Sequence, residues 1–313
     1  MAILIETQGG GRSMNLLRNS WKNRWLIVMS LPALILFIMF SYIPMFGLVL
    51  AFKKFDYSKG IFGSPWCGLN NFRLLFISGQ TFWRLTRNTV GYYLLFTITG
   101  TIGNVFLAIG IYEFAYKKLG KFFQSFMILP PFITYIAVTF IVYACLRTDG
   151  GLVNRLLGKN INWYLNADAW PVILLIVRTW KSVGYGSVLY LSVLAGIDTQ
   201  LYEAAALDGA NARQKMWHIT LPMLLPMVAI MTLLGLGSIM YSDTGLFYQV
   251  TKNVGALYRT TQVLDSYVLN AIMSSTDFSL TSAITFYQSV VGCIMVVRTN
   301  AIVRKVSPEN ALF

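Results

Sequence analysis

Residues 198–222 read DTQLYEAAALDGANARQKMWHITLP. The stretch is polar, yet strongly apolar segments border it on both sides. Asp198 or Thr199 can cap a helix in which Leu201, Tyr202, Ala205 and Ala206 recur at helical spacing. Gly209 tolerates positive φ and lets that helix stop. A second helical run, 212–218, leads into Ile219, Leu221 and Pro222, where the next apolar stretch opens. A helix-turn-helix elbow between two membrane spans has no lipid-facing role of its own. It reads as a handle for something outside the membrane, and it makes the chain a bundle of membrane helices.

Composition agrees. The chain has 313 residues, 56% hydrophobic and 12% charged, whereas a soluble domain carries about 25% charged residues. It therefore reads as an integral membrane protein with one membrane domain. The net charge of +13 could signal nucleic acid, but the basic residues lie in short loops between apolar runs. That pattern marks membrane flanks, facing lipid and not nucleic acid. Cys67, Cys145 and Cys293 stand far apart and the lone His218 sits in the elbow, so neither a metal site nor a disulfide framework is expected. Trp21 and Trp25 precede the first apolar segment with no small-residue cleavage pattern behind it. That segment reads as retained.

Six spans are expected, at 25–52, 88–112, 122–146, 170–196, 219–241 and 283–303, each long enough for a hydrocarbon core of ~30 Å. All regular structure should be helical, because a closed barrel would need short alternating segments that are absent. Pro32 and Pro44 should bend the first span, and Pro130-Pro131 should kink the third. Gly103 and Gly110, one heptad apart, should share a close-contact face on the second. Residues 53–87 should form a loop with one or two interfacial helices. Leu152, Val153, Leu156 and Leu157 give a short amphipathic helix, and 242–282 reads as a long polar connection. The division is a tail at 1–24, a membrane domain at 25–303 with its elbow at 196–222, and a tail at 304–313. Charge counting does not orient the bundle, since Lys and Arg number about twelve on one side and eleven on the other.

The elbow resembles a known motif. Glu203-Ala204-Ala205, Gly209, Ile219, Leu221 and Pro222 are similar, along their whole spacing, to the EAA loop of binding-protein-dependent ABC importer permeases. Asp208-Gly209-Ala210 resembles the carbohydrate-permease version. IPMFGLVLAFKKFD, GLVNRLLG, QVLDSYVLN and SAITFYQSVVG are similar to the oligosaccharide permeases of the maltose-importer superfamily, including importers of uronic-acid oligosaccharides such as alginate. The resemblance implies the all-α fold of a type I ABC importer permease in the bacterial cytoplasmic (inner) membrane, with the elbow and both tails in the cytoplasm. It implies a second, non-identical permease subunit, two ATPases that use ATP and Mg, and an extracytoplasmic solute-binding protein. This chain lacks the GxxxxGK[ST] phosphate loop, so it holds no cofactor itself and is not an enzyme. On the elbow, Glu203 offers a charge, Ala204, Ala205, Ala206 and Gly209 are small enough for close docking, Asp208 and Ala210 belong to the same docking loop, and Leu207, Met216 and Trp217 could fill an ATPase groove or bury against the permease itself.

Arg178 and Lys181 are charges inside a span, one helical turn apart. They would line a path for an anionic sugar, or snorkel to the interface, or pair with the partner permease. Tyr185, Tyr190, Tyr241, Asp243 and Gln288 are further pathway candidates, although tyrosine is also common at membrane interfaces. Two other classes compete. An ion-driven secondary transporter would favour acidic residues inside spans, and Glu113 and Asp243 lie only at span edges. A membrane enzyme would need paired carboxylates, a metal cluster or a Ser/His arrangement, and none is present. Within the importer class, a permease for peptides, phosphate or amino acids is the alternative.

Overall fold

The computed structural model describes residues 24–77, 79–114, 124–274 and 277–306. The expected N-terminal tail, the basic turn at Lys117, Lys118 and Lys121 and most of the C-terminal tail lie outside these residues. Among the described residues the regular structure is helical, apart from one isolated bridge between Lys53 and Trp66.

Among the described residues five helices are long and apolar enough to cross a membrane, and a bent pair, Gln124–Phe132 with Tyr135–Leu146, brings the number to six when taken as one span. In order, α1 (Arg24–Phe37) continues through a π turn at Ile38–Tyr42 and a 3-10 stretch at Ile43–Phe52. Pro44 opens that last stretch, which is how the span tightens without a sharp break. Then come α2 (Asn70–Ile77), α3 (Gly79–Phe114), α4 (Tyr135–Leu146), α5 (Leu152–Leu157) and α6 (Trp170–Ala195). The elbow helices α7 (Thr199–Leu207) and α8 (Ala212–Lys215) lead into α9 (Leu221–Leu236), and α10 (Leu264–Met273) and α11 (Phe278–Val306) close the chain. The most extensive helix–helix packing is that of α3 against α6.

Burial follows the solvent. The outer surfaces of the spans carry large exposed apolar residues such as Phe40, Phe106 and Phe140, as hydrocarbon or an apolar partner helix tolerates and water does not. The interior forms three apolar clusters, around Trp170 and Phe247, around Phe82 and Ile284, and around Tyr190 and Leu224.

The third span is broken more sharply than a proline kink. Its halves meet at 100°, because two consecutive prolines remove two donors. In hydrocarbon the orphaned carbonyls need partners. Lys181, on the neighbouring α6, supplies them: its Nζ donates to Pro130 O (3.1 Å), to Pro131 O (3.0 Å) and to Ile133 O. All three ammonium protons are used, and the charge also lies 4.8 Å from the Tyr135 ring centroid. One turn along α6, Gly184 lets the broken half-helix touch the backbone. A Cβ there would stand 1.8 Å from Met127 O.

The fifth span ends the same way. α9 stops at Leu236, short of the expected 241, and the chain turns back into the bundle. Gln288 of α11, buried, donates to Met240 O (2.7 Å) and to Asp265 Oδ1 (3.2 Å). Asp265 Oδ2 accepts from Ser242 N (2.6 Å) and from Ser242 Oγ (2.7 Å).

Three expectations are corrected. The second span starts at Gly79 and not at 88, since α3 carries on into the expected loop. Gly103 does meet a neighbour, with a Cβ there 2.9 Å from Val183 Cγ2, but Gly110 meets nothing within 4 Å, so the pair is not one contact face. The connection 242–282 is packed and not loose. Leu246, Phe247 and Val250 are buried on a π turn at Gly245–Val250, Leu257 on a 3-10 turn at Gly255–Leu257, and Val263 in the extended link before α10. Gly245 makes this possible, because a Cβ there would lie 2.2 Å from the Tyr135 ring.

These contacts set two stabilities that can be measured. Lys181→Met orphans the carbonyls of Pro130, Pro131 and Ile133, at about 1–3 kcal/mol for a buried polar group left unpaired, and should lower the thermal midpoint of the purified protein in detergent. An unchanged midpoint would mean that the carbonyls find other partners. Gly184→Ala should be more destabilising than Gly110→Ala in the same assay, since only the first closes on backbone.

Candidate functional site

Two features stand out at different levels of the bundle, the elbow at the end of α6 and a cavity between α3 and α6.

The elbow is built to keep its shape. Asp198 caps α7, its Oδ1 accepting from Gln200 N at 2.9 Å. Gly209 ends the helix at φ +79°, with Ala210 N donating to Ala205 O (2.8 Å) and Gly209 N to Ala206 O (3.1 Å). That bond pair is a Schellman closure, which only a residue tolerant of left-handed backbone makes without strain. Asn211 and Gln214 then form a capping box at 2.9 and 2.8 Å. Tyr202 Oη and Thr220 Oγ1, 3.0 Å apart, tie α7 to the start of the next span. His218 Nδ1 meets Gln214 O at 3.0 Å, a local backbone contact.

What this frame presents is apolar and exposed. Leu207 is 90% exposed and Trp217 57%. Glu203, Ala204, Asp208 and Gly209 are exposed beside them, while Ala205, Ala210 and Met216 are half-buried. Leu207 and Trp217 therefore do not bury against their own chain. A rigid ridge with an apolar tip and two carboxylates, Glu203 and Asp208, has the makings of a docking helix.

The cavity, of 410 Å³, has a polar wall. Tyr92, Tyr93 and Asn104 come from α3, Arg178, Ser182 and Tyr185 from α6, and Tyr241 and Asp243 from the turned-back segment. Gly186 makes room for the Asn104 amide, since a Cβ there would lie 2.5 Å from Asn104 Nδ2. Asn104 Oδ1 is buried without a hydrogen-bond partner in the chain. Tyr241 Oη lies 3.2 Å from Ser289 Oγ. Asp243 uses both oxygens within the chain: Oδ1 accepts from Gly245 N (3.0 Å), capping the buried turn, and Oδ2 accepts from Tyr135 Oη.

Of the expected pathway residues, the structure brings Arg178, Tyr185, Tyr241 and Asp243 to one wall and leaves the others away from it. Lys181 shares Arg178's side of α6, but its ammonium is held by the carbonyls of the proline break and it does not line the cavity. Tyr190 is buried with Ala108, Leu194 and Leu224. Gln288 holds the end of the fifth span. These three serve packing and the helix breaks. Sequence reasoning missed Tyr92, Asn104 and Ser182. A signal for Asn104 exists, since an amide in the middle of an apolar span rarely faces lipid. Among the described residues no cluster of three or more His, Cys, Asp or Glu could hold a metal.

Comparison with known proteins bears on both features. The chain is 32% identical over 294 residues to the polygalacturonan/rhamnogalacturonan transport system permease protein YteP of Bacillus subtilis, covering 92% of this chain and 90% of that one. Its structure is similar to one in a bacterial ABC transporter involved in the import of the acidic polysaccharide alginate, with a TM-score of 0.84 and 26% identity over 94% of this chain and 99% of that one. It is similar, too, to one in the bacterial alginate ABC transporter in complex with alginate pentasaccharide-bound periplasmic protein, at a TM-score of 0.83 and 27% identity over 93% and 98%. The family model of the binding-protein-dependent transport system inner membrane component matches residues 104–308, which include the elbow and most of the cavity wall. The chain therefore belongs to the inner membrane components of binding-protein-dependent transport systems, as a multi-pass, non-catalytic permease subunit.

Proposed function

We propose that this chain is one of two non-identical permease subunits of an importer for an acidic oligosaccharide, powered by two ATPase subunits that bind ATP and Mg. The observation that carries the reading is the elbow. A doubly capped helix pair holds Leu207 almost fully in the open, on a chain with no phosphate loop of its own. Exposed leucine on a rigid ridge gains only by docking. Glu203, Ala204, Ala205, Leu207, Asp208, Gly209, Ala210 and Trp217 form the ATPase contact, with Met216 beneath them.

The coupling path is short. α7 follows α6 directly, and α6 carries both Arg178 and Lys181. Movement at the elbow thus reaches the cavity wall and the broken third span through one rigid helix. The cargo reading rests on the polar, aromatic wall with Arg178 on it, and on relatives that handle polygalacturonan and alginate. Arg178 orients a carboxylate, and the hydroxyls of Tyr185, Tyr241 and Ser182 meet sugar oxygens. The extracytoplasmic binding protein delivers the sugar at the end of the bundle opposite the elbow.

Two tests apply to importer reconstituted in vesicles with its ATPases and binding protein. Glu203→Lys, or Gly209→Val, which forces a β-branched residue to φ +79°, should abolish uptake and sugar-stimulated ATP hydrolysis while membrane levels persist. Normal uptake in both would refute the docking role. Arg178→Gln should slow uptake of tetragalacturonate about tenfold, the worth of one charge-assisted hydrogen bond, and slow a neutral tetrasaccharide much less. Equal losses would remove the charge argument.

A further inference from the structure

A second cavity lies away from the pathway wall, at the N-terminal end of α6. It measures 490 Å³ and is lined by Tyr143, Arg147, Asp149, Asn162, Tyr164 and Lys252, among others. It sits at the end of the bundle that α6, 26 residues long, separates from the elbow by about 39 Å.

Its most informative feature is backbone. Lys252 and Asn253 are the two non-glycine residues with positive φ among the described residues, at +54° and +51°. Consecutive left-handed residues are strained and persist only where their surroundings hold them. Here the hold is explicit. Asn253 Nδ2 donates to Asn270 Oδ1 (2.6 Å), Asn270 Nδ2 donates to Asn253 Oδ1 (2.8 Å) and to Tyr258 Oη (2.9 Å), and Tyr258 Oη donates to Asn253 Oδ1 (2.9 Å). Asn253 N also donates to Tyr248 O at 3.0 Å. The network spends three polar side chains on fixing one turn, and the turn delivers the Lys252 ammonium to 4.1 Å from the Tyr143 ring centroid and 5.9 Å from that of Tyr164.

Around that ammonium the chemistry is uneven. Arg147 and Lys252 face a single carboxylate, Asp149, so the lining carries a net positive charge. Tyr164 Oη is buried with no partner in the chain. Burial pushes this phenol up to about 12, so it remains a donor at neutral pH. A buried hydroxyl left unpaired is unfavourable, and an incoming acceptor would relieve it.

The geometry points to this cavity as an outer subsite that receives one carboxylate-bearing sugar unit before it enters the bundle. Arg147 and Lys252 take the carboxylate, and Asn162 and Tyr164 take ring hydroxyls. An acidic side chain of the binding protein offers the same carboxylate, but a volume of 490 Å³ is that of a small-molecule pocket, typically ~300–1,000 Å³, and exceeds what one side chain fills. The inference rests on the acidic-oligosaccharide reading above and adds a second station to it.

The test titrates tetragalacturonate and maltotetraose into the purified full chain in nanodiscs, and separately follows their uptake by the complete reconstituted importer. Wild type should bind tetragalacturonate in a salt-sensitive manner and maltotetraose far more weakly. Arg147→Gln and Lys252→Met should each weaken tetragalacturonate binding about tenfold, Tyr164→Phe should weaken it less, and Lys252→Arg should restore most of it. Thermal midpoints measured alongside identify variants that fail to fold. Binding unaffected by either charge removal overturns the subsite, as does no saturable binding to wild type. A third contrary result is that the variants weaken docking of the sugar-free binding protein and leave sugar binding intact, which would assign the cavity to that protein. Wild-type uptake of tetragalacturonate alongside any of these contrary results leaves the importer reading standing. Its absence removes the acidic cargo itself.

Discussion

Inside an apolar medium, a helix can be interrupted only where something else satisfies the backbone groups it abandons. This bundle interrupts two helices and answers each with a side chain from a neighbour. Lys181 of α6 closes the Pro130-Pro131 break, and Gln288 of α11, with Asp265, closes the end of α9. The first of these is the stronger constraint. A lysine is one of the costliest side chains to bury, and here its charge is spread over three carbonyl dipoles and an aromatic face. The broken span and, through Tyr135 and Asp243, the turned-back segment on the cavity wall are tied to that contact. Tyr135, just past the break, reaches Asp243, which in turn caps the buried π turn.

The same helix serves the other end of the molecule. α6 begins beside the outer cavity, carries Arg178 and Lys181 in its middle and hands the chain to the elbow. The elbow is stiff on its own account, through its caps, its glycine closure and the Tyr202–Thr220 contact. A stiff handle on a helix pinned to a broken neighbour is a means of turning a push into a change of cavity shape, as a binding-protein-dependent permease requires.

Much of this is legible in the amino-acid sequence. Composition and span length specify the membrane class and six crossings. The spacing of Asp198, Glu203 and Gly209 specifies the elbow, because caps and positive-φ glycines are local devices that a sequence states openly. What stays hidden is tertiary. Arg178 and Lys181 look alike on a helical wheel, and only packing against the proline break separates a cavity residue from a pin. Gln288 reads by residue type as a pathway amide, and only the carbonyl of Met240 beside it shows its task. Residues 242–282 read as loose connection because their apolar residues follow no helical or strand period. They are buried on π and 3-10 turns whose register no simple pattern reports. The strain at Lys252 and Asn253 leaves no compositional trace at all.

The central claim, that α6 carries elbow motion to the third span through Lys181, can be measured as a distance. Spin labels at the exposed positions Phe106 on α3 and Phe140 on α4 would report movement of the broken span in the assembled importer. The account predicts that trapping the ATPases with nucleotide shifts the distance distribution in the otherwise wild-type chain, and that Lys181→Met suppresses the shift although the ATPases still bind nucleotide. The same shift in the presence and absence of the lysine would contradict it.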